Sequence, residues 1–182
     1  MLIDHLFVMR VGEFESDALT RRGIAQVTFI AQEIEEILRG RGLPKSNVVV
    51  LCSGEEVMRE AANIVGRILD IRSSQRQELH EWVSLNAQKI SEDHLRLIHI
   101  GVLSKAQQVV MAILPKEAAE GYPLHFMLTE KVGAPNPRIR NRLEPGEAVQ
   151  VHCEYGRRET MSLPGNSAIE QIFGGIPSGV RD

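Results

Sequence analysis

A run of three β-branched valines followed by leucine, Val48-Val49-Val50-Leu51 after Asn47, lies between two stretches of helical periodicity, and it constrains the fold more than any other feature of the chain. Such a run has no polar face to offer water. A strand made of it has to be covered on both sides, as in parallel sheets flanked by helices. The neighbouring sequence supplies cover. Ile24, Val27, Ile30, Ala31, Ile34, Ile37 and Leu38 recur at spacings of three and four, which marks one face of a helix. Thr20 is placed to cap its start, and Gly40 and Gly42 end it. Beyond the run, Val57, Met58, Ala61, Ile64, Val65 and Ile68 define a second amphipathic helix from about Glu55 to Leu69. Leu6-Phe7-Val8-Met9 precedes the first helix as another short apolar strand. The order strand, helix, strand, helix implies parallel strands joined by right-handed crossovers.

The second half is less regular. Ser91-Glu92-Asp93 is suited to cap a helix reaching Val102, and Gln108 to Leu114 reads as a third buried strand. Pro115 suits the first turn of a helix over Lys116 to Lys131, which Pro123 has to kink or break. Ala134 to Arg142 reads as a loop. Ala148 to Cys153 forms a strand introduced by the turn Glu144-Pro145-Gly146-Glu147, with Arg157 to Ser162 pairing as a hairpin. The expected organisation is one α/β domain over residues 1–162 and a Gly- and Pro-rich tail over 163–182.

Composition excludes several classes. The net charge of −3 offers no general attraction to nucleic acid or to an anionic membrane surface. No apolar run approaches the ~20 residues needed to span a bilayer, and the segment from Met1 to Met9 is too short and too poorly flanked for a signal peptide. Two cysteines, Cys52 and Cys153, make no disulfide framework, which points to a reducing cytoplasm. Cofactors are not expected. His80, His94, His99, His125 and His152 show no metal-ligand spacing, so no metal site is expected either.

Three stretches carry a resemblance. Arg10-Val11-Gly12-Glu13 ends the first strand; Leu19-Thr20-Arg21-Arg22-Gly23-Ile24-Ala25-Gln26 opens the first helix; and Cys52-Ser53-Gly54 follows the valine run, ahead of Glu60-Ala61-Ala62. Together they resemble the histidine phosphatases of the phosphoglycerate-mutase-like superfamily, closest in size to the small bacterial phosphohistidine phosphatases. In that family the corresponding patterns are Arg-His-Gly-Glu, Leu-Thr-x-x-Gly-x-x-Gln and Ser-Ser-Pro-x-x-Arg-Ala. The resemblance spans residues 5–153 and is specific in the first third. It implies a three-layer sandwich with a mostly parallel central sheet and helices on both faces.

Phosphoryl transfer to histidine needs an imidazole in line with the leaving oxygen and cationic donors around the equatorial oxygens. The resemblance implies a residual phosphate pocket at Arg10, Val11, Gly12, Glu13, Ser53, Val57 and Leu114, in which only the first arginine is kept. The nucleophilic histidine is Val11, the second arginine Val57, and the second histidine falls near Leu114. Apolar side chains can form no phosphoenzyme and hold no anion. His5, five residues before Arg10, is about 17 Å away along an extended strand and cannot substitute.

Cys52 and Arg59 have six residues between them, two of them glutamates, which fits a buried strand-end thiol better than a cysteine-phosphatase loop. Arg10 is expected to have a partner, and the candidate is an ion pair with Glu13, the other reading of Arg10 being a relic of phosphate binding. Arg138, Arg140 and Arg142 alternate, and share one side if extended; this reads either as a solvated loop or as a contact for an anion or a partner. The expected function is that of a catalytically degenerate histidine-phosphatase-like protein that binds an unidentified protein or small molecule. An active phosphohydrolase with a rearranged site is the alternative, and a homo-oligomer is left open.

Overall fold

A computed structural model describes residues 5–72, 76–79, 109–117, 119–120, 143–154 and 157–163. Its elements are β1 (His5–Arg10), β2 (Phe14–Glu15), β3 (Ala18–Leu19), α1 (Arg21–Gly40), β4 (Val48–Ser53), α2 (Glu56–Ile68), β5 (Arg76–Leu79), β6 (Val109–Leu114), β7 (Ala148–Glu154) and β8 (Arg157–Leu163). Six strands form one sheet in the order β5-β4-β6-β1-β7-β8. β5, β4, β6 and β1 run parallel, while β7 lies antiparallel to both β1 and β8. The sheet is therefore mixed and mostly parallel.

Central strands β1 and β6 are apolar nearly throughout, because both faces of the sheet are sealed. Phe7, Met9, Val50, Cys52, Met111 and Ile113 join Val27, Ile30, Ile34 and Leu38 of α1 and Met58, Ala61 and Val65 of α2 in one cluster. Leu6, Val8, Val49, Leu51, Val110 and Ala112 alternate with these along the strands and are equally buried. The sequence expectation of a three-layer α/β arrangement matches this burial. Among the described residues no helix is long and apolar enough to cross a membrane.

Helix boundaries follow from local chemistry. The Thr20 hydroxyl oxygen accepts from the Gly23 N–H at 3.0 Å, which caps α1. At the other end Gly42 takes φ +66°, and the Leu43 N–H donates to the Leu38 carbonyl at 2.9 Å, closing a Schellman motif. α2 ends the same way, with the Ile71 N–H on the Gly66 carbonyl and Asp70 at φ 51° in place of a glycine.

Two elements depart from the sequence expectation. Residues 14–19 form a small antiparallel hairpin, β2–β3, and Arg76–Leu79 adds an edge strand beside β4. Val109–Leu114 and the β7–β8 hairpin lie where expected, although β8 extends to Leu163, one residue past the expected domain end. The helix expected up to Val102 and most of the one expected over Lys116 to Lys131 lie outside the described residues, as does the tail beyond Leu163.

Candidate functional site

β1, β4 and β6 are parallel, so their carboxyl ends meet at one edge of the sheet, where open α/β sheets bind ligands. Arg10-Val11-Gly12-Glu13 crosses this edge. Its backbone is held on every side. The Val11 N–H donates to the Leu114 carbonyl at 3.0 Å, and the Arg10 N–H to the Glu147 carbonyl at 2.9 Å. From the turn before β7, the Gly146 N–H reaches the Arg10 and Val11 carbonyls, each at 3.2 Å. The Glu13 N–H donates to Gln26 Oε1 at 2.8 Å, while the Glu13 carbonyl accepts from the Thr20 N–H at 3.0 Å and the Thr20 hydroxyl at 3.2 Å.

This network explains the spacing Leu-Thr-x-x-Gly-x-x-Gln. Thr20 caps the helix and grips the loop; Gln26, six residues further along, reaches the loop again through its side-chain oxygen. Gly23 lies between them because the loop passes directly over it. A Cβ on Gly23 would overlap the Glu13 carbonyl oxygen, and one on Gly12 would sit 2.6 Å from the Gly23 carbonyl oxygen. Gly146, at φ +76°, likewise leaves room for the Gln26 side chain. Leu19 is anchored separately, its N–H donating to Glu60 Oε2 at 2.8 Å, which ties the hairpin to α2.

The side chains expected at the site divide into three groups. Val11 and Val57 are brought into the same buried apolar cluster, with exposures of 3% and 2%. Leu114 is as deeply buried, and its carbonyl meets Val11, but it pairs with Arg10 in the register and lies outside that cluster. Arg10 is half-buried and donates from Nη1 to the Leu143 carbonyl at 2.5 Å. The Leu143 N–H in turn donates to Glu120 Oε1 at 3.2 Å.

The expected ion pair between Arg10 and Glu13 is not the one formed: the Glu13 carboxylate lies 3.7 Å from Arg22 Nε. The reason is directional. Arg10 is the last strand residue and faces the turn before β7, whereas Glu13 has already passed over the start of α1. Ser53 closes β4 through its backbone. Arg138, Arg140 and Arg142 lie outside the described residues.

Cys52 is buried at the end of β4, as expected from its surroundings. Arg59 turns back onto its own loop, donating from Nε and Nη2 to the Gly54 carbonyl at 3.1 and 2.5 Å. It therefore braces the β4–α2 connection. Among the described residues no group of three or more His, Cys, Asp or Glu side chains is arranged to hold a metal ion. Sequence reading missed Glu60, Glu120 and Gly146 as supports of the site. Gln26 was in view as the last letter of a motif, but its role is visible only once the loop is seen above it.

Neither a family model nor a curated protein matches the chain. Solved structures do match, and the architecture they define is that of the phosphoglycerate-mutase-like histidine phosphatases, the fold this chain has. One is the protein histidine phosphatase SixA, solved with tungstate, at 17% identity and a TM-score of 0.61, covering 90% of this chain and 99% of that one. Phosphoglycerate mutase from Plasmodium falciparum is 12% identical with a TM-score of 0.54, covering 88% and 90% of the two chains. A mycobacterial glucosyl-3-phosphoglycerate phosphatase is 12% identical with a TM-score of 0.53, covering 86% and 96%.

Proposed function

We propose that this chain is a non-catalytic protein on the histidine-phosphatase fold, serving by binding rather than by phosphoryl transfer. The observation that carries the reading is the shared burial of Val11 and Val57 in the apolar core. Under the resemblance these positions would hold the nucleophilic histidine and an arginine, and here neither has a polar atom to offer a phosphoryl group. A second observation is consistent with it: Nη1 of Arg10 donates to the Leu143 backbone carbonyl, so part of the guanidinium is engaged by the protein itself. The retained loop and the phosphatases among its structural neighbours favour the second reading, an active phosphohydrolase whose catalytic groups come from outside the described residues.

The test is hydrolysis of para-nitrophenyl phosphate and of a phosphohistidine substrate by the purified full chain, with Arg10→Ala as control. Tungstate, with which the SixA structure was solved, is the matching binding probe. No turnover above the Arg10→Ala level, and no thermal stabilisation by tungstate, is the expected result. Turnover that disappears with Arg10→Ala would establish the phosphohydrolase reading instead.

A further inference from the structure

Phe14 and Ile24 are the large apolar side chains most exposed among the described residues, at 48% and 40%. Single exposed apolar residues are ordinary, but these two stand together. Phe14 follows Glu13 and Ile24 follows Gly23, and the Glu13 and Gly23 backbones are in such close contact that no Cβ fits between them. Phe14 and Ile24 therefore flank one backbone contact at the rim of the site edge.

The hairpin that presents Phe14 turns through Ser16 and Asp17, both at positive φ, 49° and 77°, as a tight two-residue hairpin turn requires. Its base is fastened: the Leu19 N–H donates to Glu60 of α2, and Thr20 to the Glu13 carbonyl, so the hairpin holds Phe14 in place.

The charges around this apolar pair are mainly acidic. Glu15 and Asp17 are exposed on the hairpin, and Glu55 and Glu56 are exposed where α2 begins, with Glu56 one helical turn before Glu60. The basic side chains nearby are Arg21, Arg22 and Arg59; Arg22 lies against Glu13, and Arg59 is bonded to the Gly54 carbonyl.

We propose that this rim is a docking surface for a basic protein segment carrying one large apolar anchor. Phe14 and Ile24 take the anchor out of water, and Glu15, Asp17 and Glu56 meet the flanking cations, which sets orientation and association rate. The inference rests on the binding role proposed above and gives that role a partner chemistry.

The experiment uses the full chain and a fluorescent synthetic peptide of lysine and arginine with a single central tryptophan, read by anisotropy. Binding that weakens with added salt is expected, together with a loss of about tenfold for Phe14→Ser and for the double variant Glu15→Lys, Asp17→Lys, as is usual for an interface anchor and its charged rim. Amide shifts confined to residues 13–24 and 55–60 are expected in parallel. No binding, binding indifferent to Phe14→Ser, or equal binding of an acidic counterpart peptide would overturn the proposal. Self-association of the chain that Phe14→Ser abolishes would also overturn it, making the occupant a second copy. Phosphatase turnover is scored separately, so failure of the non-catalytic reading is distinguishable from failure of this one.

Discussion

Gly23→Ala should be strongly destabilising, although alanine at an interior helical position normally gains about 1 kcal/mol over glycine. Position 23 lies in the first turn of α1, directly beneath the Glu13 backbone. A Cβ there would lie 2.9 Å from the Glu13 carbonyl carbon and 3.0 Å from its nitrogen, and would overlap the carbonyl oxygen itself. Backbone cannot rotate away as a flexible side chain can, so the loop has to lift. Lifting it stretches three hydrogen bonds: Glu13 N–H to Gln26 Oε1, and the Thr20 N–H and hydroxyl to the Glu13 carbonyl. At roughly 0.5–1.5 kcal/mol each, with overpacking of about 1–3 kcal/mol and the helix-propensity gain of about 1 kcal/mol subtracted, the net loss is about 1.5–6.5 kcal/mol. Urea unfolding followed by circular dichroism measures it. With an m-value of about 2 kcal/mol/M, the midpoint should fall by roughly 1–3 M. Gly40→Ala is the control, since nothing lies within 4 Å of a Cβ there, and it should shift the midpoint little. A Gly23→Ala protein as stable as the parent would refute the close packing of loop on helix.

The other expected outcomes use the same assay or a simple extension of it. Thr20→Ala removes both the cap on Gly23 and the hydroxyl bond to Glu13, and should cost about 1–2 kcal/mol. Gln150→Met should raise stability by about 1–2 kcal/mol, because the buried Gln150 amide has no hydrogen-bond partner among the described residues and methionine fills a similar volume. Loss of stability in that variant would show that the amide has a partner after all. Val11→His should fold and remain inactive towards para-nitrophenyl phosphate, since Val57 still occupies the second position; turnover would mean that a complete site needs only that one residue.

The central elements were legible because a strand covered on both faces leaves an unmistakable trace, as β1, β4 and β6 do. Both helix ends were legible: Gly42 announces the end of α1, and the apolar periodicity that stops near Leu69 marks the end of α2, although there the left-handed position is taken by Asp70 instead of a glycine. The β2–β3 hairpin was hidden. Its turn residues are Ser16 and Asp17 instead of the Asn-Gly that such turns favour, and two-residue strands are too short to show alternation. β5, Arg-Gln-Glu-Leu, is a short polar strand at the end of the strand order, and composition alone marks it as loop. At the site, motif spacing located the loop. It could not find the partner of Arg10, because Leu143 is 133 residues away in sequence and contributes only its backbone.

Glycine, threonine and glutamine in the loop-binding motif act on backbone: Gly12 and Gly23 by having no side chain, Thr20 and Gln26 by bonding to Glu13. None of these interactions uses the side chain at position 11. The hydrogen bonds that hold the loop therefore do not depend on the side chain at position 11. That independence lets the three stretches keep their resemblance to a phosphatase whichever residue stands at position 11. It also gives weight to a negative result with Val11→His, since a loop already held by Gly146, Thr20 and Gln26 presents the new imidazole on the same backbone. Failure to turn over would then favour a lack of cationic and acid–base partners over a misplaced nucleophile, which is the distinction the non-catalytic reading depends on.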